Sequence, residues 1–355
     1  MKPCLFTLVG LLATSVAASP VVTVNRALAI RGGAKSSNDG AADDTKKNGA
    51  ADDTKKNGAA DDTKKNGAAD DTKKNGAADK NGTADASGGA ANAAAGALVL
   101  PDGRIKADAV PEDFNVLASV FKSAVVKGDG LQFSDVVSFP DVESSLFDKA
   151  TNTKAFAINI DDKSIFVPQG GEAQSNIRRA DLLPAIISQL DNVAVTGTRT
   201  LHFSVQRDAA NPLNSTHDYQ LVSLESADFS FHQFDVRTGA DNGDNIAILG
   251  NSKTTPAPEE IFSTPFGEGD FENFAMKLDF DANTVQVFHS TGQEPLKQVT
   301  EPVANDPDLA GFGEYHFALQ KNPVGDAPQP AGIKEAVIYG GIFMEDSTDG
   351  TVSLQ

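Results

Sequence analysis

The chain has 355 residues, of which 40% are hydrophobic, enough for one large domain or two ordinary ones. It has one cysteine, Cys4, in a segment expected to be removed, which excludes an internal disulfide, a Cys nucleophile, a zinc knuckle and an iron–sulfur cluster. Residues 97–355 hold 17 of the 30 basic and 38 of the 49 acidic residues, a net charge of −21. Such a surface repels nucleic acid and anionic membranes, but it does not repel neutral ligands such as sugars.

The N-terminus predicts a secretory signal peptide over residues 1–18. Lys2 precedes an apolar run from Leu5 to Val16, and the small residues Ala17 and Ala18 follow it. A short buried helix is the alternative interpretation. Beyond this segment no run of 18 apolar residues occurs, so no transmembrane helix is predicted. We therefore expect a secreted protein that is extracellular or associated with the cell wall.

Residues 19–96 predict a flexible low-complexity linker. From Gly40 the unit Gly-Ala-Ala-Asp-Asp-Thr-Lys-Lys-Asn occurs four times in succession. A solenoid repeat must present an apolar face that its neighbours bury, and this unit has no large apolar residue. An alanine-rich helix is the alternative, but the Gly and Asn of each unit lower helix stability.

Residues 97–355 predict an all-β domain. Short alternating runs are separated by clusters of Gly, Pro, Asn and Asp, which is typical of strands and turns. The predicted strands are Ala155–Ile160, Ser164–Pro168, Thr200–Arg207, Asp218–Glu225, Phe231–Arg237, Asn273–Phe280, Thr284–Ser290, Tyr315–Gln320 and Ala336–Phe343. The turn Asp281-Ala-Asn283 joins two of them as a hairpin.

The number of strands favours a two-sheet β-jelly-roll sandwich. At least ten strands without a repeated blade motif argue against a propeller. One short helix is expected, around Asp181–Leu190 or Pro111–Lys122. One sheet of such a sandwich often forms an open concave groove that binds a polymer, and we expect this arrangement here.

Strand alternation predicts a polar face for this groove. When Leu201, Phe203 and Val205 point into the core, His202 and Ser204 point away from it. The same alternation turns two further pairs of side chains outward: His316 with Gln320, and Asp218 with Gln220. Solvent-exposed polar residues without a function are the alternative interpretation.

Arg179 and Asp181 are two residues apart and share a face if this segment is extended. An arginine beside a carboxylate lowers its pKa, which suits a catalytic base or nucleophile better than an acid. A surface ion pair explains the same spacing equally well.

Other catalytic classes have no motif in this sequence. There is no Gly-x-Ser-x-Gly elbow, no His-Glu-x-x-His metal motif and no Walker loop, and no motif implies a cofactor. The sequons at Asn81 and Asn214 are consistent with a secreted glycoprotein.

Several blocks of sequence, in order, resemble fungal glycoside hydrolase family 131 across residues 98–347. They are Asp162-Lys-Ser-Ile-Phe166, Arg178-Arg-Ala-Asp-Leu182, Thr200-Leu-His-Phe-Ser-Val205, Asn211-Pro-Leu-Asn-Ser-Thr-His-Asp-Tyr-Gln-Leu221, Leu224-Glu-Ser-Ala-Asp-Phe229, Phe262-Ser-Thr-Pro-Phe266, Gln286-Val-Phe-His-Ser-Thr-Gly292 and Val337-Ile-Tyr-Gly-Gly-Ile-Phe343.

The resemblance implies a β-jelly-roll that hydrolyses β-1,3, β-1,6 or β-1,4 glucans as an endo-acting, inverting enzyme. It also implies a catalytic pair of glutamates, whose positions Asp181 and Asp218 occupy here. Each aspartate withdraws its carboxyl group by one methylene, and small misplacements in a catalytic site cost about 100-fold in rate.

The leading hypothesis is a β-glucan hydrolase that uses Asp181 and Asp218. Arg179, His202, Ser204, Gln220, His316 and Gln320 would bind substrate or position a carboxyl group. The alternative is a catalytically impaired member that binds β-glucan, which the two aspartates and the absence of tryptophan favour. A polysaccharide lyase is a third hypothesis, but the charge of −21 disfavours a polyanionic substrate. The expected partner is β-glucan, with no nucleic acid or membrane, and we expect a monomer.

Overall fold

The computed structural model describes residues 100, 102–116, 119–123, 126–168, 170–184, 193–307, 309 and 313–355. The predicted signal peptide at 1–18 and the predicted linker at 19–96 lie outside the described residues and stay predictions. No helix among the described residues is long and apolar enough to span a membrane.

The described residues form sixteen strands and a few short helices. In chain order the strands are β1 (Ile105–Lys106), β2 (Val137–Ser138), β3 (Thr153–Lys154), β4 (Phe156–Asp161), β5 (Arg178–Leu182), β6 (Thr198–Arg207), β7 (Asp218–Ser226), β8 (His232–Gly239), β9 (Asn245–Leu249), β10 (Glu260–Pro265), β11 (Glu272–Asp279), β12 (Thr284–Thr291), β13 (Lys297–Gln298), β14 (Val303–Ala304), β15 (Gly313–Lys321) and β16 (Lys334–Asp346). The helices are α1 (Phe133–Val136), α2 (Leu146–Lys149) and the 3-10 helices Pro111–Asn115, Val193–Val195 and Ala240–Asn242.

The strands form two antiparallel sheets that pack face to face, with β1 and β3 paired separately. The six-stranded sheet has the order β10-β9-β8-β7-β15-β5, and the eight-stranded sheet has the order β13-β12-β11-β6-β16-β4-β2, with β14 paired to β12. This arrangement confirms the all-β jelly-roll class. The core lies between the sheets, where alternate side chains of β6 and β15 are at most 3% exposed: Leu201, Phe203, Val205, Tyr315, Phe317 and Leu319.

A β-bulge in β7 changes which side chains face outward. The pairing of β7 with β8 shifts between Gln220 and Val222, and a bulge of one residue reverses the alternation beyond it. Val222 and Leu224 are therefore fully buried in the core. Glu225 thus lies on the outer face of the sheet, the same face as Gln220.

The two sheets are also tied together at this bulge. The hydroxyl of Tyr339, on β16, lies 2.8 Å from the carbonyl oxygen of Leu221 and 2.7 Å from that of Ala318. Irregular strands leave carbonyl groups without their regular ladder partners, and a buried carbonyl needs a donor. Tyr339 supplies that donor and so fixes the central strands β7 and β15 against the eight-stranded sheet.

Eight of the nine predicted strand runs are confirmed, as is the hairpin turn, where Asn283 has a φ of 57°. The run Ser164–Pro168 is not a strand. Pro111–Asn115 is a 3-10 helix, but Asp181 and Leu182 end β5 instead of beginning a helix, and residues 185–192 lie outside the described residues. The short strands β9 and β10 were not predicted, because each is bounded by Gly, Asn or Pro and is too short for a clear alternation.

Candidate active site

Two carboxylates and one histidine meet on the outer face of the six-stranded sheet. His316, on strand β15, lies with Nδ1 3.0 Å from Asp181 Oδ2 and with Nε2 3.2 Å from Glu225 Oε2. Asp181 belongs to β5 and Glu225 to β7, the two neighbours of β15. The three side chains form one hydrogen-bonded line across three strands.

The strand register explains why these side chains meet. Ala318 pairs with Asp181, and Glu314 pairs with Glu225, so the two carboxylates flank His316 from opposite directions along β15. The outward alternation of β15, together with the bulge in β7, turns all three side chains to one face. A carboxylate on each side of one imidazole is therefore a consequence of how these strands pair.

His316 is protonated over most of the pH range. Its side chain is 5% exposed, and burial disfavours the charged imidazolium. The hydrogen bonds and negative charges of Asp181 and Glu225 outweigh that effect and raise the pKa of His316 to about 9. At neutral pH the site therefore holds a positive charge between two carboxylates.

The two carboxylates remain ionised for related reasons. Burial favours a neutral Asp181, but the charge of Arg179 and the hydrogen bond from His316 hold the pKa of Asp181 below its ordinary value. Burial of Glu225 is likewise outweighed by the hydrogen bond and charge of His316, and the pKa of Glu225 is lowered. Arg179 contacts Asp181 through its guanidinium and also lies 5.5 Å from the ring centre of Phe166. The sequence-predicted pairing of Arg179 with Asp181 is confirmed.

Asp218 lies on β7 at the end opposite Glu225 and has different partners. Its Oδ2 accepts hydrogen bonds from Arg237 at 3.0 Å and from Asn322 at 2.9 Å. Burial raises the pKa of Asp218, and the charge of Arg237 opposes that rise. Asp218 and Asp181 share no hydrogen-bond partner among the described residues.

Gln220 and Gln320 occupy the face between these two clusters. Gln320 donates to Asn322 Oδ1 at 2.9 Å, and Gln220 donates to Ser223 Oγ at 2.9 Å. Gln320 Nε2 also donates a longer hydrogen bond, 3.4 Å, to Gln220 Oε1. The predicted grouping of Asp218, Gln220, His316 and Gln320 on one face is confirmed.

His202 and Ser204 do not join this face, which corrects the sequence-based expectation. Their strand, β6, belongs to the eight-stranded sheet, so its outward side is the opposite side of the sandwich. Both residues are fully buried. His202 lies 2.8 Å from Glu345 and stacks on Phe343, and Ser204 donates to Asn273 at 2.7 Å.

The surroundings of His202 form a second small core instead of a binding site. Phe147 of α2 covers the imidazole edge-on at 5.2 Å, and burial lowers the pKa of His202. Its partner Glu345 also accepts hydrogen bonds from the backbone and hydroxyl of Ser353, each at 2.7 Å. This cluster attaches the C-terminal segment to the outside of the eight-stranded sheet.

Sequence reasoning missed four side chains of the polar face: Glu225, His232, Asp235 and Arg237. His232 Nδ1 lies 2.8 Å from Asp235 Oδ1, and Arg237 lies between Asp235 and Asp218. Asp235 and Arg237 alternate along β8, a signal that was available in the sequence. His232 is three positions before Asp235 and reaches the same face through the register shift of β8 next to Glu225. In the part of the chain that the structure describes, no three His, Cys, Asp or Glu side chains are placed to hold a metal ion.

Comparison with known proteins identifies the family. The model of the glycoside hydrolase 131 catalytic N-terminal domain matches residues 99–350. The crystal structure of a GH131 β-glucanase catalytic domain from Podospora anserina superposes with a TM-score of 0.57 at 20% identity, covering 73% of this chain and 99% of that one. The GH131 catalytic domain from Coprinopsis cinerea gives a TM-score of 0.53 at 24% identity, covering 73% and 98%. No curated protein matches the sequence. From residue 99 to residue 350, this chain belongs to glycoside hydrolase family 131.

Proposed function

We propose that this protein is a secreted, endo-acting β-glucan hydrolase that uses Asp181 and Glu225 as its carboxyl pair. The observation that carries the proposal is the single imidazole of His316 hydrogen-bonded to both carboxylates. Glycoside hydrolysis needs one carboxyl group on each side of the scissile bond, one as acid and one as base or nucleophile.

Asp181 is proposed as the base. It stays ionised because Arg179 and His316 both stabilise its negative charge. An ionised carboxylate can take a proton from the attacking water. Asp181 is also held by two neighbours, which fixes its orientation toward that water.

Glu225 is proposed as the acid. Its side chain is 22% exposed, against 3% for Asp181, so it is the more accessible of the two to a polymer on the face. The proton moves from His316 Nε2 to Glu225 and then to the leaving glycosidic oxygen. The bond from the anomeric carbon to that oxygen breaks as the bond to water forms. Nδ1 keeps its own proton, which is hydrogen-bonded to Asp181. Asp181 therefore releases to solvent the proton that it removes from water, and Nε2 takes a proton from solvent, which restores the starting state.

The bridge through His316 supports inversion of the anomeric centre. Inverting enzymes keep their carboxyl groups roughly 6.5–9.5 Å apart to admit a water molecule. Two hydrogen bonds in series through an imidazole keep Asp181 and Glu225 out of direct contact. Proton NMR of the first-formed sugar anomer tests this point, and a product that retains the substrate configuration contradicts it.

Glu225 is preferred to Asp218 because of the contacts each makes. Asp218 is held by Arg237 and Asn322 and shares no partner with Asp181 among the described residues. Glu225 shares His316 with Asp181. The resemblance places its two glutamates at the positions of Asp181 and Asp218, so the preference for Glu225 rests on this shared histidine.

A neutral glucan fits the charge of the domain. Residues 97–355 carry a net charge of −21, which repels polyanions but not neutral chains. The solved Podospora anserina relative is described as a β-glucanase catalytic domain. The chain has no tryptophan, so the sugar would be held mainly by hydrogen bonds from the polar face. The signal-peptide pattern at 1–18 supports secretion.

The test is release of reducing ends by the full chain from β-1,3, β-1,6 and β-1,4 glucans. We expect Asp181→Asn and Glu225→Gln each to reduce the rate by about 100-fold or more. Asp281→Asn, in the distant hairpin turn, is the matched control and should be unchanged. Equal rates for wild type and both site variants contradict the proposal.

A second candidate is a β-glucan-binding protein with little turnover. The observation that favours it is Asp181 itself, where the resemblance implies a longer glutamate. Binding of glucan without product would support it, and so would a gain of turnover in Asp181→Glu. Turnover by the wild type that Asp181→Asn abolishes would exclude it.

A further inference from the structure

A cavity of about 490 Å³ lies at the end of the polar face, beyond the two carboxylates proposed for catalysis. It is lined by Thr216, Asp218, Arg237, Asp241, Asn322 and the segment from Pro323 to Gly325. Its size falls in the range of ligand-binding clefts. Neither Asp181 nor Glu225 lines it.

The carboxylate of Asp218 is incompletely satisfied in this cavity. Asp218 is 7% exposed, and its Oδ2 is paired with Arg237 and Asn322. Its Oδ1 is buried and has no hydrogen-bond partner among the residues that the structure describes. A buried acceptor without a donor is costly, so a ligand that brings a donor to this oxygen gains affinity.

The lining chemistry selects a neutral ligand with hydroxyl groups. Asp218 and Asp241 repel anions, and the guanidinium of Arg237, 3.0 Å from Asp218, repels cations. A sugar hydroxyl can donate to Asp218 and accept from Arg237 or Asn322 at the same time. A sugar residue therefore matches the donors and acceptors of this cavity.

Polar side chains lead along the face from the cavity toward the proposed catalytic centre. Gln320 is hydrogen-bonded to Asn322 at the cavity and lies next to Gln220 on the face. Asp218 and Glu225 are seven positions apart on β7, which corresponds to about 20 Å along the strand. A polymer must extend several sugar residues from the scissile bond to reach this cavity.

We propose that the cavity around Asp218 is a distal sugar-binding subsite, which makes the protein selective for long β-glucan chains. The inference rests on the proposed function, because it takes the scissile bond to lie at Asp181 and Glu225. Asp218 then binds substrate at a distance from the reaction and is not one of the carboxyl groups that act on the bond.

The experiment compares two variants of the full chain on β-glucan oligosaccharides of four and eight residues. Asp218→Asn removes acceptor capacity, and Val324→Arg, at an exposed lining position, places a cation that can occupy the cavity beside Asp218. Asp281→Asn and Val299→Arg make the same changes at exposed positions elsewhere. Melting temperatures confirm that each variant is folded.

We expect both cavity variants to lower kcat/KM on the octasaccharide by about tenfold or more and on the tetrasaccharide by less than about twofold. The two controls should change neither value. Equal losses on both substrates, or no loss on the octasaccharide, overturn the subsite.

Failure of the proposed function is recognised separately. If the wild type cleaves neither oligosaccharide, the hydrolase proposal fails, and binding of the octasaccharide is measured by calorimetry instead. Binding that both cavity variants weaken by about tenfold then supports the subsite. Absent binding, or binding equal in wild type and variants, overturns it.

Discussion

Replacing His316 by glutamine should change how stability depends on pH. The imidazolium is hydrogen-bonded to Asp181 and Glu225, and the two carboxylates raise its pKa to about 9, above the ordinary 6.5. A histidine whose pKa is raised on folding stabilises the folded state while it is protonated. This contribution is complete below about pH 6.5 and is lost as the pH rises through 9.

The difference between the folded-state pKa of His316 and its ordinary pKa sets the size of this contribution to the free energy of unfolding. A folded-state pKa of about 9 against 6.5 corresponds to roughly 3 kcal/mol for a side chain that is 5% exposed. His316→Gln removes this titration and keeps a side chain that can donate one hydrogen bond. The difference in unfolding free energy between wild type and variant should therefore shrink by about 3 kcal/mol between pH 6 and pH 10.

Urea denaturation of both proteins at pH 6, 8 and 10 measures this difference. Taking the difference between the two proteins removes the titration of every shared group whose pKa the substitution leaves unchanged. A stability gap that stays constant from pH 6 to pH 10 would refute the assignment of a protonated His316 between two carboxylates.

Three further changes have definite expected outcomes. Lys321→Met leaves the buried carboxylate of Glu335 without its cation, so the free energy of unfolding should fall by about 3–5 kcal/mol in chemical denaturation. The double variant Lys321→Met/Glu335→Gln should recover much of this loss. A single variant as stable as wild type contradicts this. Gly239→Ala should lower the melting temperature and reduce soluble yield. A Cβ at this position would lie 2.1 Å from the carbonyl oxygen of His217, and the φ of 107° strains any residue other than glycine. An unchanged melting temperature contradicts this. Hydrolysis of β-glucan should fall as the pH rises through about 9, and a pH–rate profile that is flat across this range contradicts the role of His316.

The polar face could be predicted in part from alternation alone. Along β15 the alternation is regular, so His316 and Gln320 were placed on the outer face correctly. Along β7 strict alternation from Asp218 and Gln220 directs Glu225 into the core. The bulge after Gln220 reverses this, and no residue pattern in the strand marks where it occurs.

Sheet membership was the other feature that alternation could not supply. Leu201, Phe203 and Val205 were correctly predicted to face the core, which fixes the direction of His202 relative to its own strand. Strand β6 pairs with β11 and β16, both far from it in sequence. Because that pairing puts β6 in the other sheet, His202 lies on the opposite side of the sandwich from His316.

Charged residues were predicted less well than apolar ones. Arg179 and Asp181 were recognised as a pair because two residues of an extended strand share a face. The environment of Asp218 depends on Arg237 from β8 and Asn322 after β15, and such contacts between distant segments leave no local signal.

We propose that Asp181 and Glu225 act on the glycosidic bond through their shared histidine. The most direct measurement is the rate at which wild type, Glu225→Gln and Asp218→Asn cleave the same β-glucan tetrasaccharide. We expect a loss of about 100-fold or more for Glu225→Gln and a change within about twofold for Asp218→Asn. The reverse order, with Asp218→Asn inactive and Glu225→Gln active, would contradict it.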